Sequence, residues 1–251
     1  MTGTLYLVPN TLDFGVTSEG DLQDVLPLGA IRIAARLQHW VAENAKTTRA
    51  FLKRVDGVVT LSAPLQSLSI VELPRPPKGA RNAITPDLKP LLAAAKAGHD
   101  IGLISEAGLP AIADPGAALV QAAHAMGIAV VSLSGPSSLM LALASSGLNG
   151  QSFAFVGYLP VDATERGQRI KELESLSKRA SQTQLMIETP YRNEALLSAL
   201  ITHLRGDSWL SVSSGLTLPG AWTRTERVST WKSSPRAVAN DVPAVFSLLA
   251  G

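Results

Sequence analysis

The chain has 251 residues, 46% hydrophobic and 17% charged, a globular composition long enough for one large or two modest α/β cores. Cysteine is absent and the four histidines (His39, His99, His124, His203) are scattered, which excludes disulfides and thiolate chemistry and leaves a metal centre without support. A formal charge of +2 with 5% aromatic residues gives no general nucleic-acid signature, and no apolar run reaches the roughly 18 residues of a membrane span. The opening MTGTLYLVPN lacks the basic region and apolar core of a secretory signal, so a cytoplasmic, membrane-free protein is expected.

In chain order, TLYLV (4–8) reads as a buried strand, 27–38 as a helix, HWVAE (39–43) as a short strand and 45–55 as a basic helix. VELPRPPKGARN (71–82) reads as a loop. A helix is expected over 87–97, stopped by Gly98. IGLIS (101–105) is a strand. Asp114-Pro115 reads as an N-cap with proline in the first turn of a helix that ends at Gly127. The strand IAVVSLS (128–134) follows, then Gly135-Pro136-Ser137-Ser138 and a helix ended by Gly147. This strand–helix–strand spacing is that of a parallel α/β sheet. After about residue 150 come a strand at 153–160, a charged helix at 163–180, a strand at 184–188 and a helix at 192–204. Further strands are expected at 208–214, 227–231 and 244–250. Two α/β domains, 1–150 and 151–251, are the natural division.

Ligands of open α/β sheets bind beyond the carboxyl ends of strands. Three loops there have unusual composition: Ser105–Pro110 with Ala113–Gly116, Leu133–Ser138, and Glu188–Arg192. Small residues let a ligand approach the backbone, and serines at a helix start offer hydroxyls and free amides. Ser137 and Ser138 serve equally as caps, His124 and Met186 as packed side chains. Neither a P-loop, a GxGxxG turn nor a GxSxG elbow occurs. The basic clusters Arg75, Lys78, Arg81 and Arg166, Arg169, Lys171 suit solvated faces as well as RNA contacts.

ISEAGLPAIADPG (104–116) resembles the SDAGTPLISDPG segment of the rRNA ribose methylases in the tetrapyrrole-methylase superfamily. SLSGPSSLMLALASSGL (132–148) resembles their PLPGPSAVLTALSASGL, FAFVGYLP (153–160) their FLFxGFLP, and IETPYR (187–192) their YESPHR. TGTLYLVP (2–9), AENAKTTRAFLKR (42–54) and SSGLTLP (213–219) are similar to the first strand, the AEDTRVTRKLL segment and the RELTK stretch. The matches run in order over most of the chain.

The resemblance implies two α/β domains with a cleft between them for S-adenosyl-L-methionine (SAM), usually in a homodimer. By position it assigns the cofactor to Pro9, Ser105, Glu106, Ala107, Gly108, Ile112, Ser137, Ser138, Glu188, Leu216 and Ala244. Methyl transfer from a sulfonium is an in-line displacement, served mostly by alignment and water exclusion. A ribose hydroxyl also needs a base or an oriented donor. Two segments depart from the family. Pro9-Asn10-Thr11-Leu12-Asp13-Phe14-Gly15 replaces PIGNLxDIT, and Asn44, Ala45 and Lys46 follow Glu43 where the family has DTR. Glu43, Lys46 and Arg49 are the catalytic, substrate-side candidates.

Three functions remain open at this point. The first is a SAM-dependent methyltransferase of RNA, with rRNA or a ribosomal subunit as partner, PRPPKGAR and the 45–55 helix forming its basic surface. The second is a methyltransferase of a tetrapyrrole or other small molecule. The third is a SAM-binding protein without catalysis.

Overall fold

The computed structural model describes residues 2–13, 21–74 and 87–251. The expected basic loop with Arg75, Lys78 and Arg81, and the positions Phe14 and Gly15, lie outside the described residues. The chain divides into two compact units, Met1–Pro136 and Ser137–Gly251.

Unit 1 runs β1 (Thr4–Leu7), α1 (Leu28–Arg36), β2 (His39–Ala42), α2 (Ala45–Asp56), β3 (Ser69–Glu72), α3 (Ala93–Lys96), β4 (Ile101–Ile104), α4 (Ala117–Ala125), β5 (Ala129–Ser132). Its strands form one sheet in the order β3-β2-β4-β1-β5, and every pairing is parallel. A central parallel strand is covered on both faces, and all four residues of β4 are buried accordingly. One face carries Ala30, Ile31, Ala34 and Ala35 of α1 with Phe51, Leu52 and Val55 of α2, packed with Trp40 and Ile104. The other carries Leu119 and Ala123 of α4 and Ala95 of α3, packed with Leu5, Val41 and Leu103. Trp40 lies beside Gly102, its partner across β2 and β4, where a Cβ would stand 2.7 Å from the indole.

Unit 2 runs α5 (Ser138–Ser146), β6 (Phe153–Tyr158), α6 (Ala163–Ala180), β7 (Thr183–Ile187), α7 (Asn193–His203), β8 (Trp209–Ser214), β9 (Trp222–Arg227), α8 (Val228–Ser233), β10 (Ala244–Leu249). The sheet order is β6-β7-β10-β8-β9; β6 and β7 are parallel and the other pairs antiparallel. α6, α7 and α8 pack on Met186, Leu210, Val212, Phe246 and Leu248, and α5 packs on Leu185 and Val245 of the opposite face. Because Leu139, Ala142 and Leu143 bury against these strands, α5 belongs to unit 2, and the division falls earlier than residue 150.

Four local expectations are corrected. Residues 227–231 are not a strand: Val228 and Trp231, one helical turn apart, are both fully buried in α8, and the strand is 222–227 instead. The 87–97 segment is a 3₁₀ turn over Lys89–Leu92 and one short helix, as Pro90 removes a backbone donor. The loop expected from 71 begins later, because Ser69–Glu72 adds the edge strand β3. Asp114 does not cap α4; Gly116 holds that position at φ 135°, where only glycine sits without strain.

Candidate functional site

All strands of unit 1 point one way, so the loops after β1, β2, β4 and β5 leave from one edge of the sheet. Asn10 fastens two of them. Its Nδ2 donates to the carbonyls of Ser105 (3.1 Å) and Glu106 (3.0 Å), while its Oδ1 accepts from the Thr11 amide at 2.9 Å. Two backbone bonds run alongside, from Asn10 N to Gly108 O and from Gly108 N to Thr11 O. The loop after β5 closes in equally tightly: a Cβ on Gly135 would lie 2.1 Å from Pro9 Cβ. Pro9, Ser105, Ala107 and Gly108 are thus gathered at this edge, and Pro9, Ser105 and Ala107 are buried. Ser105 Oγ is buried without a hydrogen-bond partner among the described residues, a hydroxyl with capacity left for a ligand.

The rest of that loop is held in an uncommon conformation. Gly108, Ala111, Ala113 and Gly116 all have positive φ, and for the two alanines this is sterically costly. The turn leaves Ile112 48% exposed. It also sets Asp114 among like charges. Burial, reinforced by Glu43 and then Glu106, raises the Asp114 carboxyl from an ordinary 3.8 to about 7. Among the described residues, no three acidic or histidine side chains stand where they could share a metal ion.

The sign of the resulting pH dependence follows directly. Between about pH 4 and 7 the native chain binds a proton at Asp114 that the unfolded chain has released, so this carboxyl's contribution to stability falls as pH rises through the window and is level above it. Asp114→Asn abolishes that fall. The group is only partly buried, so after discounting for solvent screening the effect is about 1 kcal/mol, or 2–4 °C in a chain of this size. Melting curves from pH 5 to 8 are expected to show the variant gaining on the wild type up to pH 7; parallel curves would refute this origin of the shift.

Glu43, at the end of β2, accepts from the Glu106 amide at 3.1 Å, so its carboxylate helps to hold the 105–108 loop. Lys46 and Arg49 are exposed on the first turns of α2, and Arg49 donates to the Ala45 carbonyl. The departure at position 44 has a structural reading. Asn44 is the N-cap of α2, its side chain accepting from the amides of Lys46 and Thr47, work that an aspartate does equally well. Asn44→Ala is expected to lose about 1 kcal/mol and Asn44→Asp none, as read by thermal melting. No local pattern marked Arg54, which lies further along α2. It pairs with buried Asp13 at 2.8 Å and donates to Thr11, tying the helix to the loop after β1.

In unit 2 the register Ile187↔Val245 and Ala244↔Ser214 brings Glu188, Leu216 and Ala244 to one end of the sheet. The Glu188 side chain, 3% exposed, accepts from Arg192 at 2.6 Å and from the Thr189 amide at 2.8 Å. Leu216 packs against the core cluster that contains Leu139 of α5, and Thr217 beside it has φ 69°. Ser137 occupies the N-cap of α5 yet makes no side-chain cap bond, and Ser138 opens the helix. Buried Asn193 clamps the approach to β10 by donating to the carbonyls of Ala239 (3.0 Å) and Val242 (2.8 Å). Composition offered no signal for this clamp.

Two α/β units, one wholly parallel and one mixed, define the class of fold found in tetrapyrrole methyltransferases. A uroporphyrin-III-C-methyltransferase from Thermus thermophilus superposes with a TM-score of 0.53 at 18% identity, over 99% of this chain and 93% of the other. The methyltransferase CobJ superposes with a TM-score of 0.57 at 14% identity, over 100% of both. Residues 22–226 match the model of the tetrapyrrole (corrin/porphyrin) methylases, and the chain belongs to that family. It is similar to proteins named ribosomal RNA small subunit methyltransferase I. That of Mesorhizobium japonicum is 40% identical over 127 residues, 51% of this chain and 42% of that protein. That of Halalkalibacterium halodurans is 33% identical over 215 residues, 86% and 65%, and that of Bacillus subtilis 32% over 215 residues, 86% and 64%. The chain thus covers less than two thirds of the length of these relatives.

Proposed function

We propose that this chain is a SAM-dependent methyltransferase with RNA as its acceptor, of the kind named in its curated relatives. The observation that carries the reading is the loop edge of unit 1. Asn10 staples the 105–108 loop there, Gly135 leaves no room beside Pro9, and the Ser105 hydroxyl stands unpartnered.

These residues suit SAM chemically. The ligand carries a sulfonium and an ammonium, and Glu43, Glu106 and Asp114 make this edge acidic. Small residues at Ala107 and Gly108 admit a flat ring close to the backbone. Bound SAM supplies an electrophilic methyl group. The chain's own part is to hold the loops rigid, exclude water and orient the acceptor. Lys46 and Arg49 are exposed cations suited to an anionic acceptor, while Glu43 and Asp114 are the carboxylates that could take a hydroxyl proton. The unit 2 set, Ser137, Ser138, Glu188, Leu216 and Ala244, is assigned to the cofactor by family likeness. The uncommitted Ser137 hydroxyl supports that assignment.

Transfer of labelled methyl from SAM to purified small ribosomal subunits tests the reading. Label in RNA, lost in Ser137→Trp, is the expected result. Label in a porphyrinoid but not in RNA would move the acceptor to the small-molecule class. SAM binding without transfer to either would leave a binding protein. No described helix is long and apolar enough to cross a membrane. Cytoplasmic residence and a homodimer are the expectations that go with this function; light scattering of the purified chain tests the second.

A further inference from the structure

The chain is poor in aromatic residues, with only four tryptophans, yet three of them lie in unit 2. Trp209 is in β8, Trp222 in β9 and Trp231 in α8, and each has a guanidinium stacked on its ring. Arg227 lies 4.2 Å over Trp209, Arg236 3.8 Å over Trp222 and Arg224 4.3 Å over Trp231. Between residues 205 and 236 stand five basic side chains (Arg205, Arg224, Arg227, Lys232, Arg236) and two acidic ones (Asp207, Glu226). That is a net +3, where the whole chain carries +2.

Part of this charge is committed: Arg205 pairs with Asp207, and Arg227 donates to the Asp207 carbonyl. Arg224, Lys232 and Arg236 pair with no carboxylate among the described residues, and Lys232 and Arg236 are exposed. Trp222 and Arg224 are two apart on β9 and share a face of that strand, the face on which Trp231 and Arg236 lie.

An arginine stacked on an indole has already given up much of its rotamer freedom, so less is lost when it binds. Its outer plane can stack on a nucleobase while its N–H rim reaches phosphate. An acidic peptide would use the charge but not the flat guanidinium planes. We propose that the surface formed by the Trp222–Arg236 pair, by Arg224 backed by the buried Trp231 ring, and by Lys232 docks single-stranded RNA. This rests on RNA being the acceptor class, and it names a place where the chain holds that RNA, at the end of the sheet where Trp222 pairs with Ser214 and Ser214 with Ala244.

The test is fluorescence anisotropy of a labelled, unstructured RNA oligomer with the full chain, from 50 to 200 mM salt, alongside calorimetry with SAM. Lys232→Glu with Arg236→Glu, both exposed, is expected to weaken RNA binding at least tenfold and to reduce the slope of log K against log salt by about 1.4, two phosphate contacts at about 0.7 each. Arg236→Lys is expected to keep the slope and lose several-fold in affinity, because charge remains and stacking goes. SAM affinity is expected to be unchanged in both. Unchanged RNA affinity and slope in a charge-reversed chain that melts like the wild type would overturn the proposal, as would equal affinity of the wild type for polyglutamate. If the wild type binds RNA as described but not SAM, the methyltransferase reading fails and this surface stands.

Discussion

Asn10→Ala is expected to lower the melting temperature by about 6–12 °C and to weaken SAM binding more than tenfold. The change strips partners from the Ser105 and Glu106 carbonyls and the Thr11 amide. Each buried group left unsatisfied costs about 1–3 kcal/mol, so the total is about 3 kcal/mol, and 1 kcal/mol corresponds to about 2–4 °C in a chain of this size. The loss of SAM affinity has a separate cause, since Asn10 fixes where the 105–108 backbone sits. Asn10→Asp is expected to be no better, because it turns an oxygen toward two carbonyls. Calorimetric melting and titration read both effects. A variant that melts within 2 °C of the wild type would show that the two loops hold their places without this side chain.

Gly135→Ala is the second large effect. The added methyl would meet Pro9 Cβ at 2.1 Å and Cγ at 2.5 Å, and a proline ring cannot swing aside as a flexible chain end would. Either the first loop or the 133–136 loop must move, at a cost of about 3 kcal/mol, the upper end for overpacking. Gly29→Ala is the control. Nothing lies within 4 Å of its would-be Cβ, and it sits in α1, so a gain of about 0.5–1 kcal/mol is expected. Soluble expression and melting of the two variants decide the matter. A Gly135→Ala chain as stable as the wild type would mean that the loops are looser than the close approach implies.

Much of unit 1 was legible because its parallel strands are short continuous apolar runs between glycine-punctuated helices. IGLIS and IAVVSLS announced β4 and β5 in this way, and the basic 45–55 segment carried the Phe51, Leu52 and Val55 stripe of α2. Unit 2 hid its strand directions, since antiparallel and parallel pairing leave similar local patterns when both faces are covered. RVSTW misled because its β-branched residues favour a strand, while burial of Val228 and Trp231 a helical turn apart decides for α8. Exposed β3 carried too little apolar signal to be separated from the loop that follows it.

At the candidate site, the motif-bearing loops were legible and their fastenings were not. Asn10 could be read only as part of a segment that departs from the family, yet its side chain holds that segment to the 105–108 loop. Arg54 and Asn193 act on partners 41 to 49 residues away, beyond the reach of any local pattern. Asn44 looked like a lost feature until its hydrogen bonds to the Lys46 and Thr47 amides showed that the cap is kept. The same applies to the tryptophans: a chain-wide average of 5% aromatic residues conceals three of four in unit 2, each beneath a guanidinium.

The most direct measurement is calorimetric titration of the purified chain with SAM and with S-adenosylhomocysteine, repeated on Ser137→Trp and Asn10→Ala. Micromolar binding of both ligands by the wild type, lost in the first variant and weakened in the second, is the expected result. A fully folded wild type that takes up neither ligand would contradict the methyltransferase assignment and leave the family fold alone.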